Sequence, residues 1–179
     1  RPPLAEAAAQ SQLRETLARV RARGRTLQLG PGLDLVVPAL TQAQRLGDRA
    51  LLAEAHLEHG RLLHSAGEHA ASERALTDAF FAAESSRSDV IAAQAAIELV
   101  AGTMQQATPG AQLWSRHARA QIDRVVADSP SDAIRLEALL AQALGTVQVH
   151  TGDHAQAEQS FLRALALRPR LRDDDSLGR

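Results

Sequence analysis

The chain has no cysteine, lysine, asparagine or tyrosine, and aromatic residues make up 2% of its 179 positions. Without cysteine it can form no disulfide, thiolate nucleophile or zinc–sulfur site. Scarce aromatic and β-branched residues leave little of what strands favour. Long apolar runs are missing too: none approaches the ~18–20 residues that span a bilayer, and no signal-peptide core opens the chain. Neither sign of charge dominates. Twenty basic residues, all arginine, stand against 21 acids, for a formal net charge of −1 at pH 7. No broad positive field is therefore available to recruit phosphate backbones or anionic lipid, and neither a nucleic-acid partner nor membrane insertion is expected. Catalytic motifs are absent as well: there is no glycine-rich nucleotide loop, no HRD, no DFG and no HExxH. The expectation is a chain that is not an enzyme, needs no cofactor and holds no metal.

What is present is alanine and leucine. With 45% hydrophobic residues, most of them alanine or leucine, the chain can build a core from side chains that lose little freedom in a helix. An all-α fold follows. Leu13, Leu17 and Val20 recur at helical spacing, so a first helix is predicted from Leu4 to about Ala22, followed by a loop over the glycine-rich stretch from Gly24 to Gly32. A second helix is predicted from about Asp34 to Leu46, with Pro38 early in it. Six further helices pair as hairpins, turned at Gly67, before Pro109 and at Gly152. Thr108 and Ser129 are candidate N-caps. Short turns make each pair antiparallel.

The hairpins repeat one another. AEAHLEHGRLLHSAG from Ala53 aligns with AQAAIELVAGTMQQA from Ala93 and with ALLAQALGTVQVHTG from Ala138, at spacings of 40 and 45 residues. Periods of this size indicate a stacked array, in which each hairpin buries its apolar face against its neighbour. The expected organisation is a degenerate N-terminal helix pair over residues 1–47, repeat units over 48–87, 88–128 and 129–169, and a disordered tail over 170–179, all in one domain.

Leu144, Gly145, Gly152, Asp153, Ala157, Phe161, Ala164 and Pro169 stand at signature positions of the tetratricopeptide repeat, which this unit resembles; Gly60, Gly67, Glu68, Leu76 and Ala79 repeat most of the pattern in the unit over 48–87. Departures occur where the family's first-helix tryptophan is replaced by His56, Ala96 or Ala141, its leucine by His59 and its glycine by Val100. The units are longer than the family's usual repeat of about 34 residues and are similar to extended arrays in large bacterial signalling proteins, such as repeat-containing serine/threonine kinases. The resemblance implies a right-handed helical-repeat solenoid of about four hairpins. It also implies a protein-interaction or regulatory scaffold that works in the cytoplasm and binds a peptide, or another domain of the same chain, in a concave groove lined by the first helices. A chain opening on Arg1 reads as a piece of a longer protein, so a catalytic domain could lie outside it.

Groove candidates on those helices are Glu54, Leu57, Arg61 and His64, then Gln94, Ile97, Met104 and Gln105, then Leu139, Gln142, Thr146 and Val149. Leu57, Ile97, Met104 and Leu139 would take apolar anchors, while Arg61 and the glutamines would set register. Other readings stay open: a spacer or homo-oligomerising module, or a helical metal-dependent enzyme using His56 and His59. The histidines His56, His59, His64, His69 and His154 are expected in buried structural roles, and Arg14, Arg19, Arg21, Arg23 and Arg25 on a solvated face.

Overall fold

A computed structural model of the chain describes residues 4–102 and 109–177, and side chains over 5–102 and 110–167. The described residues form eight α-helices and no strand: α1 (Leu4–Arg25), α2 (Leu29–Leu46), α3 (Arg49–Ser65), α4 (His69–Ser86), α5 (Asp89–Gly102), α6 (Pro109–Asp128), α7 (Pro130–His150) and α8 (His154–Leu177). They divide into two compact units, residues 1–91 and 92–179, with the boundary inside α5.

In the first unit α1 packs on α2, α2 on α3, and α3 on α4, while α1 also reaches α3. The apolar residues that sequence periodicity selects in α1 are its core. Leu13 and Leu17 join Ala39, Ala43, Leu51 and Ala55 in one cluster, and Val20 joins Val36 and Leu62 in another. In the second unit α6 packs on α7 and α7 on α8.

Three hairpin turns are built alike, and the backbone explains why glycine recurs in two of them. After α3 and α7, Gly67 and Gly152 adopt left-handed backbone with φ of 82° and 80°, a region closed to most side chains but open to glycine. The next residue's N–H reaches back five positions to a helix carbonyl, Glu68 to Leu63 and Asp153 to Gln148, both at 2.9 Å. This is the closure of a Schellman helix end. After α1 the same bond links Gln28 to Arg23 at 3.0 Å, but the left-handed residue is Leu27, φ 56°.

The turn after α1 corrects the expectation of a loop over Gly24 to Gly32. Only Thr26 to Gln28 lie outside helix, and α2 begins at Leu29. Pro31 falls in the first helical turn, where its missing N–H has no intrahelical partner to lose, so the proline is compatible with helix there. Pro38 consequently lies mid-helix rather than near its start, on an exposed side where water can satisfy the freed carbonyl. Further on, Asp48 caps α3 by accepting from the N–H groups of Ala50 and Leu51 at 3.1 and 3.0 Å, and Ser129 caps α7 through the N–H of Asp132. Thr108 lies outside the described residues. At the other end α8 runs through Leu177, beyond the predicted end at Leu167 and into the stretch expected as a tail. No glycine interrupts it before Gly178, and its arginines and leucines favour helix. Pro169 falls within its bounds.

Candidate functional site

Two glycines that no turn requires show how closely the paired helices approach. A Cβ at Gly60 would lie 2.6 Å from Leu76 Cγ, and one at Gly145 would lie 2.8 Å from the Phe161 ring. In each case the glycine and the residue it admits are sixteen positions apart, on the first and second helix of one hairpin. The α3–α4 pair is further fastened by Ser72, whose buried hydroxyl donates to the Gly60 carbonyl at 2.8 Å. The α7–α8 pair has Ala157 at that position and is fastened instead by Ser160, which donates to Gln148 Oε1 at 2.8 Å. Ala157 is buried, and Ala164 is half-buried on the same face of α8.

On this frame the groove candidates separate into two environments. Along α3, Glu54, Leu57, Arg61 and His64 do not form an open surface. Leu57 is 1% exposed, part of the core rather than a surface anchor. The reason is that α3 is covered by α1, α2 and α4, so that no residue between its two ends is fully exposed. Ile97 on α5 is likewise a core residue at 7% exposure, and Gln94 is half-buried. Met104 and Gln105 lie outside the described residues.

Glu54 and Arg61 belong to an ionic cluster that ties α1 to α3. Arg21 donates to Glu54 Oε1 at 2.6 Å and to Glu58 Oε1 at 3.0 Å, and Arg61 donates to the same Glu58 oxygen at 3.1 Å. Glu58, a residue the sequence reading passed over, is 4% exposed and depends on these donors, since a buried carboxylate is costly unless paired. Half-burial alone would disfavour the charge on Arg21. Hydrogen bonds and charge from Glu58, then Glu54, more than offset that and hold its guanidinium above the ordinary pKa. Arg21 is thus a tertiary tie, not one of a row of solvated arginines.

Along α7 the same stripe is open. Leu139 and Val149 are 39% and 43% exposed, Gln142 between them is exposed, and Thr146 is half-buried with its hydroxyl turned back to the Gln142 carbonyl at 3.0 Å. Spacings of three, four and three residues place all four on one helical face. The helix start is fixed beneath them: Arg135 and Ser129 hydrogen-bond Asp132 and hold its carboxyl below the usual range.

The histidines divide as well. His56 and His59 are half-buried in α3, and burial pushes both imidazoles below the ordinary histidine pKa. The charge of Asp78 partly opposes the shift at His56, while His56 adds to it at His59. His56 Nδ1 is buried with no hydrogen-bond partner. His69 and His154 are exposed rather than buried, because they open the second helices at the hairpin tips. The His69 ring lies 5.7 Å from the His64 ring. Among the described residues no group of three or more His, Asp or Glu is placed to hold a metal ion, and no helix is long and apolar enough to cross a membrane.

No family model matches the chain, and neither a curated protein nor a solved structure matches it. The functional reading therefore stands on the residues themselves.

Proposed function

We propose that the chain is a tetratricopeptide-like helical-repeat module that binds a peptide along the open face of α7, as a regulatory or scaffold part of a larger bacterial signalling protein. The observation that carries it is the exposure of Leu139 and Val149 on one helical face with Gln142 between them. Two apolar side chains nearly three turns apart on a preformed helix suit the anchors of an extended or helical peptide, and Gln142 can fix its register by hydrogen bonding. Support for the repeat itself comes from the recurrence of Gly60 against Leu76 as Gly145 against Phe161, with left-handed glycine turns seven residues after each first glycine. The wider context, a signalling protein of the cytoplasm, rests on the sequence resemblance alone.

The test is selection of peptides from a random display library on the immobilised chain, with a Leu139→Asp, Val149→Asp variant of unchanged circular dichroism as counter-screen. Peptides retained by the parent and lost by the variant support the reading. Peptides that bind both equally place recognition elsewhere, and the absence of any selected peptide removes the proposal.

One observation favours a second reading, self-association through α8. Leu165 is 53% exposed where the matching residue of α4, Phe80, is buried, and Leu162 beside it is also exposed. A mass that rises with concentration in sedimentation equilibrium, and falls back in a Leu162→Glu, Leu165→Glu variant, would select it.

A further inference from the structure

Hairpins α3–α4 and α7–α8 share a register in which each residue of the first matches the one eighty-five positions later. His56, His59 and Asp78 thus correspond to Ala141, Leu144 and Arg163. Where the first hairpin places an imidazole, the second places a methyl group, and a cleft of about 120 Å³ lies among α6, α7 and α8. Leu140, Ala141 and Leu144 give it an apolar floor, while Arg119, Glu137 and Arg163 stand around it. Gln148 and Ser160, bonded to each other, add polar lining.

The charges are unequally engaged. Arg163 donates to Glu137 Oε2 at 2.7 Å, and this pair neutralises itself. Arg119 makes no ion pair or hydrogen bond to another described residue. The surround therefore carries one uncompensated guanidinium beside an apolar floor. A guanidinium presents a planar fork of donors matched to a carboxylate. Size limits the rest of the ligand: cavities of roughly 150 Å³ accept benzene, so this cleft admits a body of about two to four carbons.

We propose that the α6–α7–α8 cleft is a binding site for a short-chain carboxylate, its alkyl part on Leu140, Ala141 and Leu144 and its carboxylate on Arg119. The site is separate from the α7 stripe and does not depend on peptide binding there. An open cleft and so small a ligand set the affinity at about millimolar. The same chemistry is offered by a free small acid or by a glutamate side chain of a partner, which the test distinguishes.

The experiment is a titration of the ¹⁵N-labelled chain with propionate, followed by amide chemical shifts at constant ionic strength. Saturable shifts confined to α6, α7 and α8 are expected. Arg119→Gln should weaken binding at least tenfold, and so should Ala141→His, which restores the side chain found in α3. Glu137→Gln should tighten binding severalfold, because it removes a negative charge and releases Arg163. If Ala141→His does not fold, Arg119→Gln alone decides, since that exposed change leaves the core untouched. Tighter binding of N-acetylglutamate amide than of propionate assigns the site to a partner's side chain, and the reverse order to a free acid. Absence of saturable shifts, equal shifts with chloride or inorganic phosphate, or an Arg119→Gln variant that binds as the parent does would overturn the proposal.

Discussion

Hairpins α3–α4 and α7–α8 are two solutions to one packing problem. Both bring a glycine of the first helix against a bulky residue of the second and turn on a left-handed glycine seven residues later. Their outer faces differ completely. On α3 the stripe Glu54, Leu57, Arg61 and His64 is drawn into contacts with the rest of its unit, and Glu58 is buried under two arginines. On α7 the matching stripe is Leu139, Gln142, Thr146 and Val149, Glu58 is matched by Ala143, and the stripe stays open. A shared backbone scheme thus carries either an internal tie or an exposed surface, and the helices packed against it decide which.

The largest effect that would sharpen this comparison is expected from Gly60→Val set beside Gly145→Val. At position 60 a Cβ meets buried Leu76, including its backbone N at 3.3 Å, whereas at 145 it meets ring atoms of half-buried Phe161, which can tilt outward. Overpacking of a tight core costs about 1–3 kcal/mol or more. We expect about 3 kcal/mol for Gly60→Val and about half that for Gly145→Val, read by urea denaturation with hydrogen exchange to locate the loss. Equal losses would break the claim that the two approaches differ in tightness.

Glu58→Ala, which gives α3 the residue α7 carries, should cost about 1–3 kcal/mol, below the value for a fully buried pair because Arg21 and Arg61 keep partial access to water. Thermal denaturation should show the loss, shrinking as salt screens the remaining charges. An Ala143→Glu variant, which buries an acid where α7 carries no matching arginine at Thr146, should also destabilise. Stabilisation by either change would count against the ionic tie.

Acid should separate the units by a smaller margin. His56 and His59 are held neutral in the fold by burial, so the unfolded chain takes up protons first, at about pH 6.5. Stability is therefore present above that pH and lost as pH falls toward the lower folded values. Amide protection factors, with the intrinsic pH dependence of exchange divided out, should fall between pH 7 and 5 more in α3 and α4 than in α7 and α8, where Ala141 and Leu144 replace the imidazoles. His56→Ala should reduce the difference, and an equal fall in both hairpins would remove its assigned cause.

The smallest effect is expected at Leu27, the non-glycine residue in the turn after α1. Leu27→Gly relieves a left-handed side chain but raises the entropy of the unfolded chain, so a gain of at most about 1 kcal/mol should appear as a modest rise in Tm. A fall in Tm would mean that the exposed leucine side chain contributes more than its backbone conformation costs.

Much of the helical layout was legible because it rests on local rules. Leu13, Leu17 and Val20 declared their core face by spacing, Gly67 and Gly152 marked turns that need positive φ, and Ser129 marked a helix start. The turn after α1 was less legible. Gly24, Gly30, Pro31 and Gly32 resemble a loop by composition, yet proline in a first turn is compatible with helix. Leu57 and Ile97 were misplaced for a different reason. A helical stripe says which residues share a face, but how many neighbours cover that face is not written in the stripe.

By itself the amino-acid sequence determined the helices, the duplicated glycine pattern and the absence of cysteine chemistry, because propensity, turn geometry and composition act over a few residues. Only the tertiary structure decided that Arg21 reaches Glu58 across 37 positions, that Leu57 is core while Val149 is surface, and that Ala141 borders a cleft where its counterpart is His56. Those facts depend on which helices come to lie side by side, and that depends on contacts far apart in the chain.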